Sequence, residues 1–202
     1  MHLVGLDVGD SDDDWSKAGF DVVGHVVSVG GVAIRLRGSA GSTGSTGHRR
    51  GLSAWAFAEE NNKSIKNRIV DLNGIDTVIG PEVSAATSTN TVHPNGVSHI
   101  DHIVLSSNDL RATIDAFAQH LNLHPKRIVG DNHMAFFKAG PTVIEVVQSK
   151  AISSISTSTV SSSSSVNDFL WVYHVLGPLA RKPKNAVQGR GRRIVTLNTG
   201  ER

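Results

Sequence analysis

His99-Ile100-Asp101-His102-Ile103-Val104-Leu105, then a stripe of Leu110, Ile114, Phe117 and Leu121, then Ala135-Phe136-Phe137 and Thr142-Val143-Ile144-Glu145-Val146-Val147, is the stretch that decides the fold. In the first run Ile100, His102 and Val104 alternate with Asp101, Ile103 and Leu105. Apolar residues fall on both sides, as in a buried strand. Ser107 or Asn108 is placed to cap the next element, with Asp109 in its first turn. The i, i+4, i+7, i+11 spacing of the stripe predicts an amphipathic helix lying on a sheet. Pro125, after His124, ends it, because proline cannot continue a helix. Residues 126–129, 133–138 and 142–148 read as strands, with Gly130-Asp131-Asn132 and Ala139-Gly140-Pro141 as turns. The order is β, α, β, β, β. It sets a histidine in the middle of one strand and a glutamate in the middle of another. Imidazole and carboxylate from neighbouring strands are two ligands of a divalent-metal site.

Working outward, the same order is read upstream. Leu3-Val4-Gly5-Leu6-Asp7-Val8 alternates as a strand. Ser11-Asp12-Asp13-Asp14 offers an N-cap and first-turn acids to a short helix carrying Trp15 and Ala18 and ending at Gly19. Runs at 24–29, 32–36 and 52–58 follow as strands, with Gly30-Gly31 as a hairpin turn and the Gly/Ser/Thr insert 38–47 as a loop. Residues 1–60 are thus expected to form a first module and 99–148 a second. Residues 61–98 read as a connector, in which Ile69-Val70-Asp71-Leu72 and Thr77-Val78-Ile79 are short extended pieces. The Ser-rich tract 149–166 is expected to be disordered. Residues 167–202 hold Phe169-Leu170-Trp171-Val172-Tyr173 and Arg193-Ile194-Val195-Thr196-Leu197 as strands of a partial third module with a basic tail.

Composition removes several function classes. With 202 residues the chain is long enough for one large domain or two small ones. Cysteine is absent, which excludes a disulfide scaffold and thiolate chemistry. No apolar run approaches the length of a membrane span. Residues 1–9 carry no basic region and run into Asp10, Asp12, Asp13 and Asp14, so no signal peptide is expected and the cytoplasm is the expected location. The tail sets Arg181, Lys182, Lys184, Arg190, Arg192, Arg193 and Arg202 against the single acid Glu201. Its aromatics are sparse, so it reads as a solvated edge rather than a nucleic-acid surface. Gly189-Arg190-Gly191-Arg192-Arg193 lacks the strand-to-helix context of a phosphate loop, and no Gly-x-Ser-x-Gly elbow points to a serine hydrolase.

Residues 97–148 throughout, and 3–58 more weakly, resemble the vicinal oxygen chelate superfamily of glyoxalase I, extradiol dioxygenases and bleomycin-resistance proteins. More narrowly, His93-Pro94-Asn95-Gly96-Val97 before Ile100-Asp101-His102, and Asn185-Ala186-Val187-Gln188 with Arg192-Arg193-Ile194-Val195-Thr196-Leu197, resemble a group of bacterial proteins with a glyoxalase-like domain. The resemblance implies an α+β fold of paired βαβββ modules forming a cup-shaped sheet, here with an incomplete third unit. It maps metal-ligand positions onto His102 and Glu145, for one divalent ion (Fe, Mn, Ni or Zn). Glu145 is alternatively a catalytic base moving a proton next to a carbonyl.

The matching positions of the first module, near Gly5 and Trp55, cannot bind metal. His133, beside Glu145, is then the nearest third ligand, with His174 behind it. Trp55, Phe137 and Trp171 are expected to line the substrate pocket, and Phe117 and Phe136 to be core. His120 and His124 flank a helix end as partners of its dipole, while His2, His48, His93 and His99 are expected to be solvated. The implied function is a metal-dependent lyase, isomerase or dioxygenase acting on a small molecule with vicinal oxygens. The alternatives are a metal-free small-molecule binder of the bleomycin-resistance kind, or a degenerate interaction module working through the basic tail. A homodimer is expected, because this fold often completes its cup across a subunit interface.

Overall fold

The computed structural model describes residues 1–38, 52–59, 67–72, 74–81, 93–131 and 133–148, together with the backbone of 169–172, 184–185 and 193–194. The serine-rich tract, His48, His174 and the side chain of Trp171 lie outside the described residues. The chain divides into two compact units. One comprises Val4–Ser53, Ser84–Asp101 and Val172–Arg202, the other Met1–Leu3, Ala54–Val83 and His102–Trp171.

The unit beginning at Val4 is built on β1 (His2–Val8), α1 (Asp12–Lys17), β2 (Val26–Val29) and β3 (Val32–Leu36). The strand order is β2-β3-β1. β2 and β3 form an antiparallel hairpin. Gly30 and Gly31 turn it with φ of 56° and 83°, the pair of positive φ values that a two-residue hairpin turn requires. β1 runs parallel to β3, and α1 lies on the crossover between them. Ser11 caps α1, its Oγ accepting from the Asp14 amide at 3.2 Å. Leu6, Val8, Val27, Ile34 and Leu36 form the core of this unit.

His93 is not solvated, as its loop position suggests, but 1% exposed. Its Nδ1 accepts from the Asp21 amide at 3.1 Å and its Nε2 donates to the Ser28 carbonyl at 2.8 Å. A ring that accepts at one nitrogen and donates at the other is neutral and in a single tautomer. It satisfies two backbone groups that the loops leave open. Two residues on, the Asn95 amide and side-chain Nδ2 donate to the carbonyls of Gly19 and Ala18 at 3.1 and 2.9 Å. The His93-to-Val97 motif therefore clamps the end of α1.

The second unit contains β4 (Leu52–Glu59), β5 (Arg68–Leu72) and β6 (Ile75–Pro81), in the order β4-β6-β5. It continues with β7 (His102–Ser107), α2 (Leu110–Leu121), β8 (Arg127–Val129), β9 (Met134–Ala139), β10 (Thr142–Gln148) and β11 (Phe169–Val172). These strands form a sheet in the order β11-β7-β10-β9-β8. In the unit beginning at Val4, the pair β12 (Lys184–Asn185) and β13 (Arg193–Ile194) is antiparallel. The run at 52–58 heads a group of its own, and the stretch read as a connector supplies two strands of that group. In the three groups among the described residues the first and last strands are parallel neighbours: β1 with β3, β4 with β6, and β7 with β10. The protein is α+β, rich in mixed sheet, with two helices among the described residues.

The N-cap of α2 is Asp109, whose side chain accepts from the Ala112 amide at 2.9 Å. Ser107 supports the cap from one step back, its Oγ accepting from the Asp109 amide and meeting Thr113 Oγ1 at 2.7 Å. From β10, Gln148 accepts the Leu110 amide at 2.9 Å and donates to the Asn108 carbonyl. Asn122 ends the helix in the left-handed conformation, φ 51°. Asp109→Ala is expected to lower stability by about 1 kcal/mol. The unfolding midpoint in urea reads this, and an unchanged midpoint would show that Gln148 and Ser107 hold the helix start without it. No helix among the described residues is long and apolar enough to cross a membrane.

Candidate functional site

The sheet containing β7–β10 has two unlike faces. Residues paired across adjacent strands share a face, and alternate residues along a strand change face. Ile144 pairs with Ile103 on one side and Phe137 on the other. All three are buried, and Phe137 meets Phe117 of α2 with ring centroids 4.8 Å apart. That is the helix-covered face. Glu145, one residue along, lies on the opposite face.

There the register builds a row across four strands. Val104 of β7 pairs with Glu145 of β10, Glu145 with Phe136 of β9, and Phe136 with Arg127 of β8. A second row runs from His102 through Val143 to Lys138, and a third from Ser106 through Val147 to Met134. Glu145 is 5% exposed, the flanking Val104 and Phe136 are half-buried, and Arg127 and Lys138 are exposed. A carboxylate thus sits low between apolar walls, with an imidazole diagonally beside it and two cations outward on β8 and β9. Chemically such a face can seat a flat apolar body, hydrogen-bond a donor at Glu145 and attract negative charge at its rim.

His102 and Glu145 are brought together on one face, two residues out of register on adjacent strands. His133 is not with them. It is exposed, in the turn between β8 and β9, where its amide donates to the Val129 and Gly130 carbonyls. It stands one step out of phase with Met134 and Phe136. Among the described residues no group of three or more potential ligands is close enough to hold a metal ion. The donor set on this face is two, against the three protein ligands of a typical catalytic zinc site. The described residues therefore do not complete a metal centre.

The aromatic expectations also divide. Trp55 is 1% exposed, with its indole N–H on Thr77 Oγ1 at 2.5 Å and its ring against Phe57 and Phe117 at 5.0 and 5.9 Å. Phe137 is 1% exposed in the same cluster. Both are core rather than pocket lining, because the apolar stripe of α2 closes over them. Phe136, expected as core, is the ring beside Glu145. Arg127 and Lys138 were not read from the sequence. The signal for Lys138 was the two-residue alternation carried from Glu145 across the β9–β10 hairpin, and for Arg127 the same alternation carried on from Phe136 across the β8–β9 pair.

Residues 99–191 match the family model described as Glyoxalase/Bleomycin resistance protein/Dioxygenase superfamily. The structure is similar to that of a xylose isomerase-like TIM barrel/4-hydroxyphenylpyruvate dioxygenase fusion protein, at 11% identity and TM-score 0.51, over 83% of this chain and 35% of that one. It is also similar to BphC, a halotolerant catechol dioxygenase, at 12% identity and TM-score 0.39, over 72% of this chain and 63% of that one. The chain thus spans about a third and under two thirds of the lengths of these two proteins. No curated protein matches it.

Proposed function

We propose, for a chain whose residues 99–191 carry a glyoxalase/bleomycin resistance protein/dioxygenase superfamily domain, that it binds a small molecule on the Glu145 face without a resident metal. The observation that carries this reading is the buried Glu145 carboxylate held between Val104 and Phe136 on the face that α2 leaves uncovered. The ligand lies over the apolar floor, and Glu145 accepts a hydrogen bond from it. Glu145→Gln keeps the shape and removes the charge. It is expected to weaken binding of a hydroxylated aromatic such as 2-naphthol about tenfold, in line with the loss of one charge-assisted hydrogen bond. Isothermal titration measures it, and equal affinities in the two proteins would remove Glu145 from the site.

A second reading is favoured by His102 and Glu145 sharing a face: a divalent-metal-dependent lyase, isomerase or dioxygenase for substrates with vicinal oxygens, with Glu145 as a base. Elemental mass spectrometry of protein purified without chelator or His-tag decides it. Near-stoichiometric Fe, Mn, Ni or Zn, lost in both His102→Ala and Glu145→Ala, would replace the first reading with this one. The cytoplasm and a homodimer belong to the same proposal. Ile69 on β5 and Ile128 on β8 are large apolar side chains left exposed on strands at sheet ends, which supports self-association. A monomeric mass by light scattering at micromolar concentration would overturn the dimer.

A further inference from the structure

We infer that the Glu145 face selects anionic aromatic ligands: a planar apolar body carrying a carboxylate or sulfonate, in preference to its neutral analogue. The inference rests on the reading of this face as a small-molecule site and adds the ligand's charge and shape. Three observations carry it. The ring of Phe136 lies in the middle of the face, half-buried, between Glu145 on one side and Arg127 on the other. Arg127 and Lys138 are both exposed, and the register places both on this face, Lys138 two residues from Phe136 on the same strand. The remaining floor is Val104, Val143, Val147 and Met134.

Adjacent strands are about 4.8 Å apart, so the backbones at Glu145 and Arg127 stand about 10 Å apart with an aromatic ring between them. A ring stacked on Phe136 reaches one polar group toward Glu145. Its opposite edge then falls within reach of the flexible Arg127 and Lys138 side chains. A negative group at that edge gains charge-assisted bonds from both, with Arg127 offering a planar fork to a carboxylate. At the Glu145 edge the same negative group meets a like charge, so the two ends of the face orient the ligand as well as hold it.

The test is titration calorimetry with 6-hydroxy-2-naphthoate, whose hydroxyl can donate to Glu145 while its carboxylate faces the cations, and with 6-hydroxy-2-naphthamide, its neutral counterpart of nearly the same shape, on the full chain and on Arg127→Gln/Lys138→Gln. Both residues are exposed, so the double variant is expected to keep the wild-type thermal midpoint. The hydroxynaphthoate should bind about tenfold more tightly than the hydroxynaphthamide at low salt, and the advantage should shrink as ionic strength rises. In the double variant the advantage should vanish while hydroxynaphthamide affinity is retained. Equal binding of the two probes by the wild type, or an advantage that survives the double substitution, overturns this inference and leaves the small-molecule site standing. Failure of both probes to bind overturns the site reading and the inference with it.

Discussion

Phe117→Ala is expected to destabilise the unit that carries the Glu145 face by about 3–5 kcal/mol, the usual range for removing a buried aromatic ring. The ring is 1% exposed and joins two layers. It meets Phe137 of β9 at 4.8 Å and Trp55 of β4 at 5.9 Å, and Trp55 in turn meets Phe57 at 5.0 Å. Alanine forfeits the buried area, leaves a cavity and breaks aromatic pairs worth roughly 0.5–1.5 kcal/mol each beyond area. A domain of this size holds a net stability of about 5–15 kcal/mol, so the variant should lose much of its margin. Chemical denaturation of wild type and variant measures the loss. A loss below about 1 kcal/mol would show that the cluster relaxes into the gap, and that α2 is not anchored where the structure anchors it.

His93→Ala is expected to cost about 2–4 kcal/mol, though the residue lies outside any regular element. Removing the ring takes the acceptor from the Asp21 amide and the donor from the Ser28 carbonyl. Each backbone group left without a partner costs about 1–3 kcal/mol. The ring's edge contact with Phe20, at 5.3 Å, is lost as well. The diagnostic readout is local. The Asp21 amide should exchange with solvent much faster in the variant, while core amides of β3 keep their relative order of protection. Wild-type protection at Asp21 would mean that the loop finds another acceptor and that His93 is dispensable.

The β7–β10 group was legible in the chain because its signals agree: alternation in the strands, a stripe in α2, and glycine or proline at the turns. The group at 52–81 was less so. Its second strand, β5, has Ile69 exposed, and most of the chain between β4 and β5 lies outside the described residues. Pairing Glu145 with His102 needed only their positions in two strands. Choosing between Phe136 and Phe137 needed to know which face α2 covers, a tertiary fact that adjacent identical residues conceal. Sequence placed His93 in a loop correctly and drew the wrong conclusion, because the partners that bury it are backbone groups more than sixty residues away, at Asp21 and Ser28. Arg127 and Lys138 look like ordinary surface charges until the register sets them beside Phe136.

The parallel join of first and last strand has a consequence for biosynthesis. β7 leaves the ribosome well before β10, the strand its backbone pairs with, and β8, β9 and all of α2 are made in between. During that interval Ile103 and Leu105 belong to a strand without β10 to hold it. Helix α2 forms locally and fast, and β9–β10 is a tight hairpin, so the pieces on either side are ready before the distant closure occurs. The nascent chain thus carries an unpaired apolar strand through elongation, the interval in which a cell's holdases act.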